Sequence, residues 1–339
     1  MHTALLAEGD ILGDFRNKLV IGFVFGLTVV VGVLLYADLT QVVASLERFT
    51  WAYLPLILGL TLANYVLRFT KWHFYLRIVG LTNISIADSL LVFVGGFTMV
   101  LTPGKLGELL KSVALKEMTD APISRTAPVV MAERLTDGLA MLLLATAGVA
   151  ANPRYLPLFF IVLGALVGGV VVIQFRPLAT RLLTLAARLP LLSRFAQSLH
   201  AFYDSSFELL RLENLALGVG LGATSWALEG LAFYLVLTGL GLDPSTTLLG
   251  HAVFILSFAT IVGALSALPG GLGAAEASIG AMLGLVVGLD RSLAGTATLL
   301  IRFCTLWFAV SLGLVVLVFF RQRLFPDKAT VLHERKQGH

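Results

Sequence analysis

Glu133 and Asp137 stand four residues apart in an apolar stretch, so on a helix they share a face, with Arg134 about 100° round from Glu133. Two carboxylates and a guanidinium at that spacing can hold a phosphate or an amine, carry a proton, or pair with one another. A second group of residues occurs twice. Pro103-Gly104-Lys105-Leu106-Gly107-Glu108 is followed 166 residues later (269 − 103) by Pro269-Gly270-Gly271-Leu272-Gly273, with Glu276 just beyond. After two extra residues the shift becomes 168 (276 − 108 and 302 − 134), which pairs Glu108 with Glu276 and Arg134 with Arg302.

Proline and glycine at these positions break a helix and let the backbone approach closely. The half-helices that follow start at Lys105 and Leu272, and their free N–H groups and positive dipole ends suit an anion such as phosphate. Arg134 and Arg302 can hold a phosphate bidentately. Glu108, Glu133, Asp137 and Glu276 would then face amines, hydroxyls or protons. The alternative is structural: the charges pair among themselves and hold helices together. Either way a charge at lipid depth costs about 2.5–3.5 kcal/mol and demands a reason. The candidate substrate-binding residues are therefore Arg134, Arg302, Glu108, Glu133, Asp137, Glu276, Lys105 and Arg68. The candidate backbone breaks are Pro103, Gly104, Gly107, Pro269, Gly270, Gly271 and Gly273.

The elements that must position them are membrane helices. Of the 339 residues 58% are hydrophobic and 13% charged, and the mean hydropathy is +0.91. That charge fraction is about half of what a soluble domain carries. The spacing of apolar runs predicts an all-α polytopic fold with about six transmembrane helices, over 19–36, 51–67, 126–150, 156–175, 215–240 and 293–320. Two broken or re-entrant hairpins, 86–118 and 246–288, complete the set. Arg176, Arg181, Arg188 and Arg194, with leucines at helical spacing, predict a basic amphipathic segment over 176–213 at the membrane surface. Trp51, Tyr53, Trp72 and Tyr75 suit an interfacial aromatic belt, and Arg68, Lys71 and Arg77 suit anchors closing the second span. Glu229 lies in the fifth span with Trp226 one turn before it, and both pairing and cavity lining are open to it. The single cysteine, Cys304, excludes a disulfide framework. No metal-ligand spacing, phosphate-binding loop, dinucleotide fingerprint or defensible catalytic triad occurs, so no cofactor and no metal are expected.

Between Glu213 and Asp290 there is no lysine or arginine, whereas 68–125, 176–211 and the tail are rich in them. The positive-inside rule then puts both termini in the cytoplasm. Residues 1–150 would form a first repeat and 151–325 a second, with 326–339 a cytoplasmic tail. Three spans plus a hairpin per repeat is an odd number of crossings, so the second copy would be inverted, an arrangement suited to alternating access.

The residues Arg68 with Trp72, Pro103–Glu108, Ala132-Glu133-Arg134-Leu135-Thr136-Asp137, and Pro269–Gly273 with Glu276 resemble the transmembrane flippase domain of lysylphosphatidylglycerol synthases and its stand-alone bacterial inner-membrane relatives. The resemblance covers nearly the whole chain. It implies movement of a lipid across the bilayer: an aminoacylated or other phospholipid, a polyprenyl-linked sugar or a hopanoid. The full synthases carry a soluble aminoacyltransferase domain after the membrane part, and this chain ends at His339, so enzymatic lipid synthesis is not expected. Two rival readings are a small-solute transporter and a non-transporting partner of a lipid-modifying enzyme, docked through the helix around Arg181–Arg194. The expected partners are a membrane lipid, such an enzyme, and a second copy of the chain, but not nucleic acid. The expected location is the bacterial inner membrane.

Overall fold

The computed structural model describes residues 2–101, 110–188 and 196–324. Among the described residues there are helices and no strand. In chain order the α-helices are α1 (His2–Ala37), α2 (Leu39–Arg48), α3 (Leu54–Ile78), α4 (Ile86–Gly95), α5 (Leu110–Thr119), α6 (Ile123–Ala151) and α7 (Leu156–Gln174). They continue as α8 (Arg176–Arg188), α9 (Ala196–Leu209), α10 (Leu212–Gly239), α11 (Thr246–Leu265), α12 (Ala274–Met282), α13 (Arg291–Arg302) and α14 (Phe308–Leu324). The protein is an all-α polytopic membrane protein. Among the described residues eight helical stretches are long and apolar enough to cross a bilayer. Six match the expected spans. The other two, Thr246–Leu265 and Pro269–Val287, are the arms of the second hairpin, each of membrane-crossing length.

Local chemistry sets the helix ends. Asp38 turns the chain between α1 and α2 at φ 63°, a conformation its short polar side chain tolerates, and it accepts from Thr40 N–H at 3.0 Å. Ser245 caps α11 by accepting from Leu248 N–H at 3.0 Å, and Asp290 caps α13 by accepting from Ser292 and Leu293. At the second break Pro269–Gly271 forms one tight turn, with Gly270, Gly271 and Gly273 at φ 59°, 66° and 83°. A Cβ on Gly271 would lie 2.9 Å from Gly263 Cα, so this glycine also permits a close backbone approach.

The chain folds into two compact units, each discontinuous in sequence. The first comprises described residues 2–61, 96–101 and 230–313; the second comprises 62–95, 110–188, 196–229 and 314–324. In the first unit α1 packs along α13, with Gly295 close against Ala37 and Gly26 against the Trp307 ring. The short helical stretch Gly96–Leu101, which leads into the first break, packs on the Pro269–Gly271 turn of the second. In the second unit α6 packs against α9. Of the predicted surface segment 176–213, residues 189–195, Arg194 among them, lie outside the described residues, and α8 and α9 differ in burial. Leu185 in α8 is exposed, whereas Ser206 and Leu209 in α9 are buried.

Candidate functional site

In the second unit α3 supplies a polar stripe. Asn64, Arg68, Lys71 and Tyr75 follow one another at intervals of four, three and four, and Trp72 lies one turn beyond Arg68, so all share a face. Asn64, Lys71, Trp72 and Tyr75 are fully buried. Facing residues come from α6, where Asp137 lies midway along the 29-residue helix and Glu133 one turn before it. Helix α10 approaches through Gly218 and Gly222, four apart as in close-packed membrane helices. A Cβ on Gly218 would sit 1.9 Å from the Tyr75 hydroxyl, and one on Gly222 would lie 3.0 Å from Ala140 Cβ and 3.5 Å from Asp137 Oδ1. The same face of α10 carries Trp226 one turn later.

The charges interlock. Lys71 Nζ donates to Asp137 Oδ1 in a short contact and to Thr136 Oγ1 at 3.3 Å. Asp137 Oδ2 faces Arg68 Nη2 at 4.0 Å, and the Arg68 guanidinium stacks over the Trp226 ring at 5.4 Å. Lys111 of α5 donates to Glu133 Oε2 at 3.3 Å and sits over the faces of Trp72 and Phe93 at 4.7 and 4.9 Å. Asn64 donates to the Ser225 carbonyl at 2.8 Å and to Glu229 Oε2 at 3.2 Å. Glu133 and Asp137 are 1% and 2% exposed, so each carboxylate is desolvated and depends on its lysine. The aromatic faces add a further attraction for the cations.

The first unit holds a separate charged group. Glu276, in the first turn of α12, accepts from Gly273 N–H at 2.6 Å through Oε2 and from Arg302 Nε at 2.5 Å through Oε1. Arg302 also donates to the Gly270 carbonyl at 3.3 Å. Glu276 and Arg302 thus staple the broken turn to the end of α13. Immediately after Arg302 the helix widens into a π turn over Phe303–Trp307. At this staple lies a small cleft lined by Glu276 and Arg302 together with Val29, Val33, Leu272, Leu299 and Trp307.

The structure thus groups Arg68, Glu133 and Asp137 in one unit and Glu276 with Arg302 in the other. Arg134 belongs to the second unit. Pro103, Gly104, Lys105, Gly107 and Glu108 lie outside the described residues. Three expectations change. Trp72 and Tyr75 are core residues, not members of an interfacial belt, and Lys71 is a buried ion-pair partner, not an end anchor. Trp51 and Arg77 are exposed. Sequence reasoning named Lys71, Trp72 and Trp226 without placing them among the charged partners, and it passed over Lys111. The four–three–four spacing of polar residues on α3 was the available signal for Lys71. Lys111 had none, because the carboxylate it meets is 22 residues away.

Known membrane proteins are similar to this chain over most of its length. A UPF0104 membrane protein of Methanothermobacter thermautotrophicus is 23% identical over 323 residues, covering 90% of this chain and 94% of its own. UPF0104 membrane protein MJ1078 of Methanocaldococcus jannaschii is 25% identical over 233 residues, covering 68% of this chain and 97% of its own. The family model described as lysylphosphatidylglycerol synthase TM region matches residues 23–313, and with that span the chain belongs to this family.

Proposed function

We propose that this protein is a lipid translocase. It carries a phospholipid or another lipid with a polar headgroup across the membrane, without covalent chemistry of its own. The observation that supports this most is the group of buried ion pairs around Glu133 and Asp137 on a membrane-length helix, in a family described by a lipid-synthase membrane region. Charges at that depth are retained where they meet a substrate or each other. Here they do both in turn. Without ligand, Lys71 and Lys111 are neutralised by Asp137 and Glu133. A headgroup phosphate can join these cations beside the carboxylates, so that the headgroup meets charge-assisted donors as it leaves water. Such contacts offset part of the cost of its desolvation. The lysine- and arginine-rich regions favour both termini in the cytoplasm, and the family resemblance favours a bacterial inner membrane.

The test is reconstitution into liposomes that carry a fluorescent phospholipid, with a membrane-impermeant quencher added outside. Wild type should expose inner-leaflet lipid to the quencher faster than protein-free vesicles do. Glu133→Gln should slow it. Exposure at the protein-free rate would refute the reading.

A further inference from the structure

We infer that the corner where Arg68 stacks on Trp226 receives a phosphate group, so that the ligand's headgroup is net anionic, not one bearing a cationic substituent. That the phosphate belongs to a lipid rests on the translocase reading; that it is a phosphate rests on the corner's own chemistry.

The donors are unspent. Arg68 Nε, Trp72 Nε1 and Trp226 Nε1 are buried and have no hydrogen-bond partner. All three can only donate. Trp72 is fully buried and Trp226 is 8% exposed. The Arg68 guanidinium lies over the Trp226 ring, a geometry that leaves its N–H edge free to meet a planar or tetrahedral oxyanion. Of the two cations within ion-pair distance of Asp137, Arg68 has 13% side-chain exposure and Lys71 1%.

The acceptors point the same way. Lys111 donates to Glu133, Lys71 to Asp137, and Asn64 to Glu229. Asp137 Oδ2 is buried without a hydrogen-bond partner, and it faces Arg68 at 4.0 Å. An ammonium brought there would stand beside both Arg68 and Lys71, and like charges would repel it. The unbonded Asn64 Oδ1 is neutral and offers a cation far less. A phosphate brings acceptors to the Arg68 Nε–H and the Trp226 indole N–H, which have none, and it can bridge the two.

The test uses the full chain in detergent and three lipids with matched acyl chains: phosphatidylglycerol, phosphatidylethanolamine and an aminoacylated phosphatidylglycerol. Binding is read by native mass spectrometry. Phosphatidylglycerol should bind in preference to the other two. Arg68→Gln should weaken it by about tenfold or more and Trp226→Phe, which keeps a ring and removes the N–H, by about fivefold. Arg77→Gln, on the exposed end of the same helix, should leave binding unchanged. Equal or tighter binding of the aminoacylated lipid overturns the inference, as does unchanged binding in Arg68→Gln. If Arg68→Gln fails to fold, the headgroup order in wild type and the Trp226→Phe loss decide. Inorganic phosphate is tested alone. If it binds with the same Arg68 dependence while phosphatidylglycerol does not, the phosphate site stands and the lipid source falls. Arg68-dependent lipid binding without movement in liposomes would keep the site and remove the translocase reading. Movement of lipid with no anion preference would do the reverse.

Discussion

Replacing Asp137 by Asn removes one charge from a buried pair while nearly preserving shape. Asp137 and Lys71 are 2% and 1% exposed, so water does not compensate the lysine once the carboxylate is gone. The nearest alternative acid on α6, Glu133, is held by Lys111, and Thr136 Oγ1 at 3.3 Å offers Lys71 a neutral acceptor alone. Arg68 also loses the carboxylate it faces. Leaving a buried charge without its partner costs about 3–5 kcal/mol. At about 2 °C per kcal/mol for a chain of this size, the melting temperature should drop by about 6 °C or more. Tryptophan fluorescence on heating in detergent reads this directly, because Trp72 and Trp226 flank the cluster. Adding Lys71→Met should recover most of the loss, since a buried pair replaced by neutral groups of similar volume is often tolerated. A single variant that melts within about 2 °C of wild type, less than one kcal/mol, would refute the assignment of Lys71 and Asp137 as an obligate pair. So would a double variant no more stable than the single.

Two other substitutions probe how the sites are built. Gly218→Ala places a Cβ on the Tyr75 hydroxyl and should destabilise by about 1–3 kcal/mol, and Tyr75→Phe in the same chain should relieve most of it; melting temperatures of the three variants decide. Glu276→Gln keeps an acceptor for Gly273 N–H but loses the charge facing Arg302, and should cost about 1.5–3 kcal/mol by the same measurement.

The sequence by itself determined the membrane character, the six long spans and the second break. These follow from local quantities: runs of apolar residues, and proline and glycine at the turn. It also singled out Glu133, Asp137, Glu276 and Arg302, because a charge in an apolar run is conspicuous without any knowledge of its neighbours. Only the tertiary structure decided what those charges meet. Glu276 and Arg302 are 26 residues apart, Glu133 and Lys111 22, and Asp137 and Lys71 66, and no local pattern links partners at such separations. Lys71 and Trp72 illustrate the reason. A lysine and a tryptophan near the end of a span suit an interfacial anchor and belt on composition. They become core residues because Lys71 meets Asp137 of α6 and Trp72 packs under Lys111 and Phe93, while α10, smooth at Gly218 and Gly222, lies close to Tyr75 and α6 beside them. Close approach is a property of two helices together, and neither helix's sequence states which partner it will find.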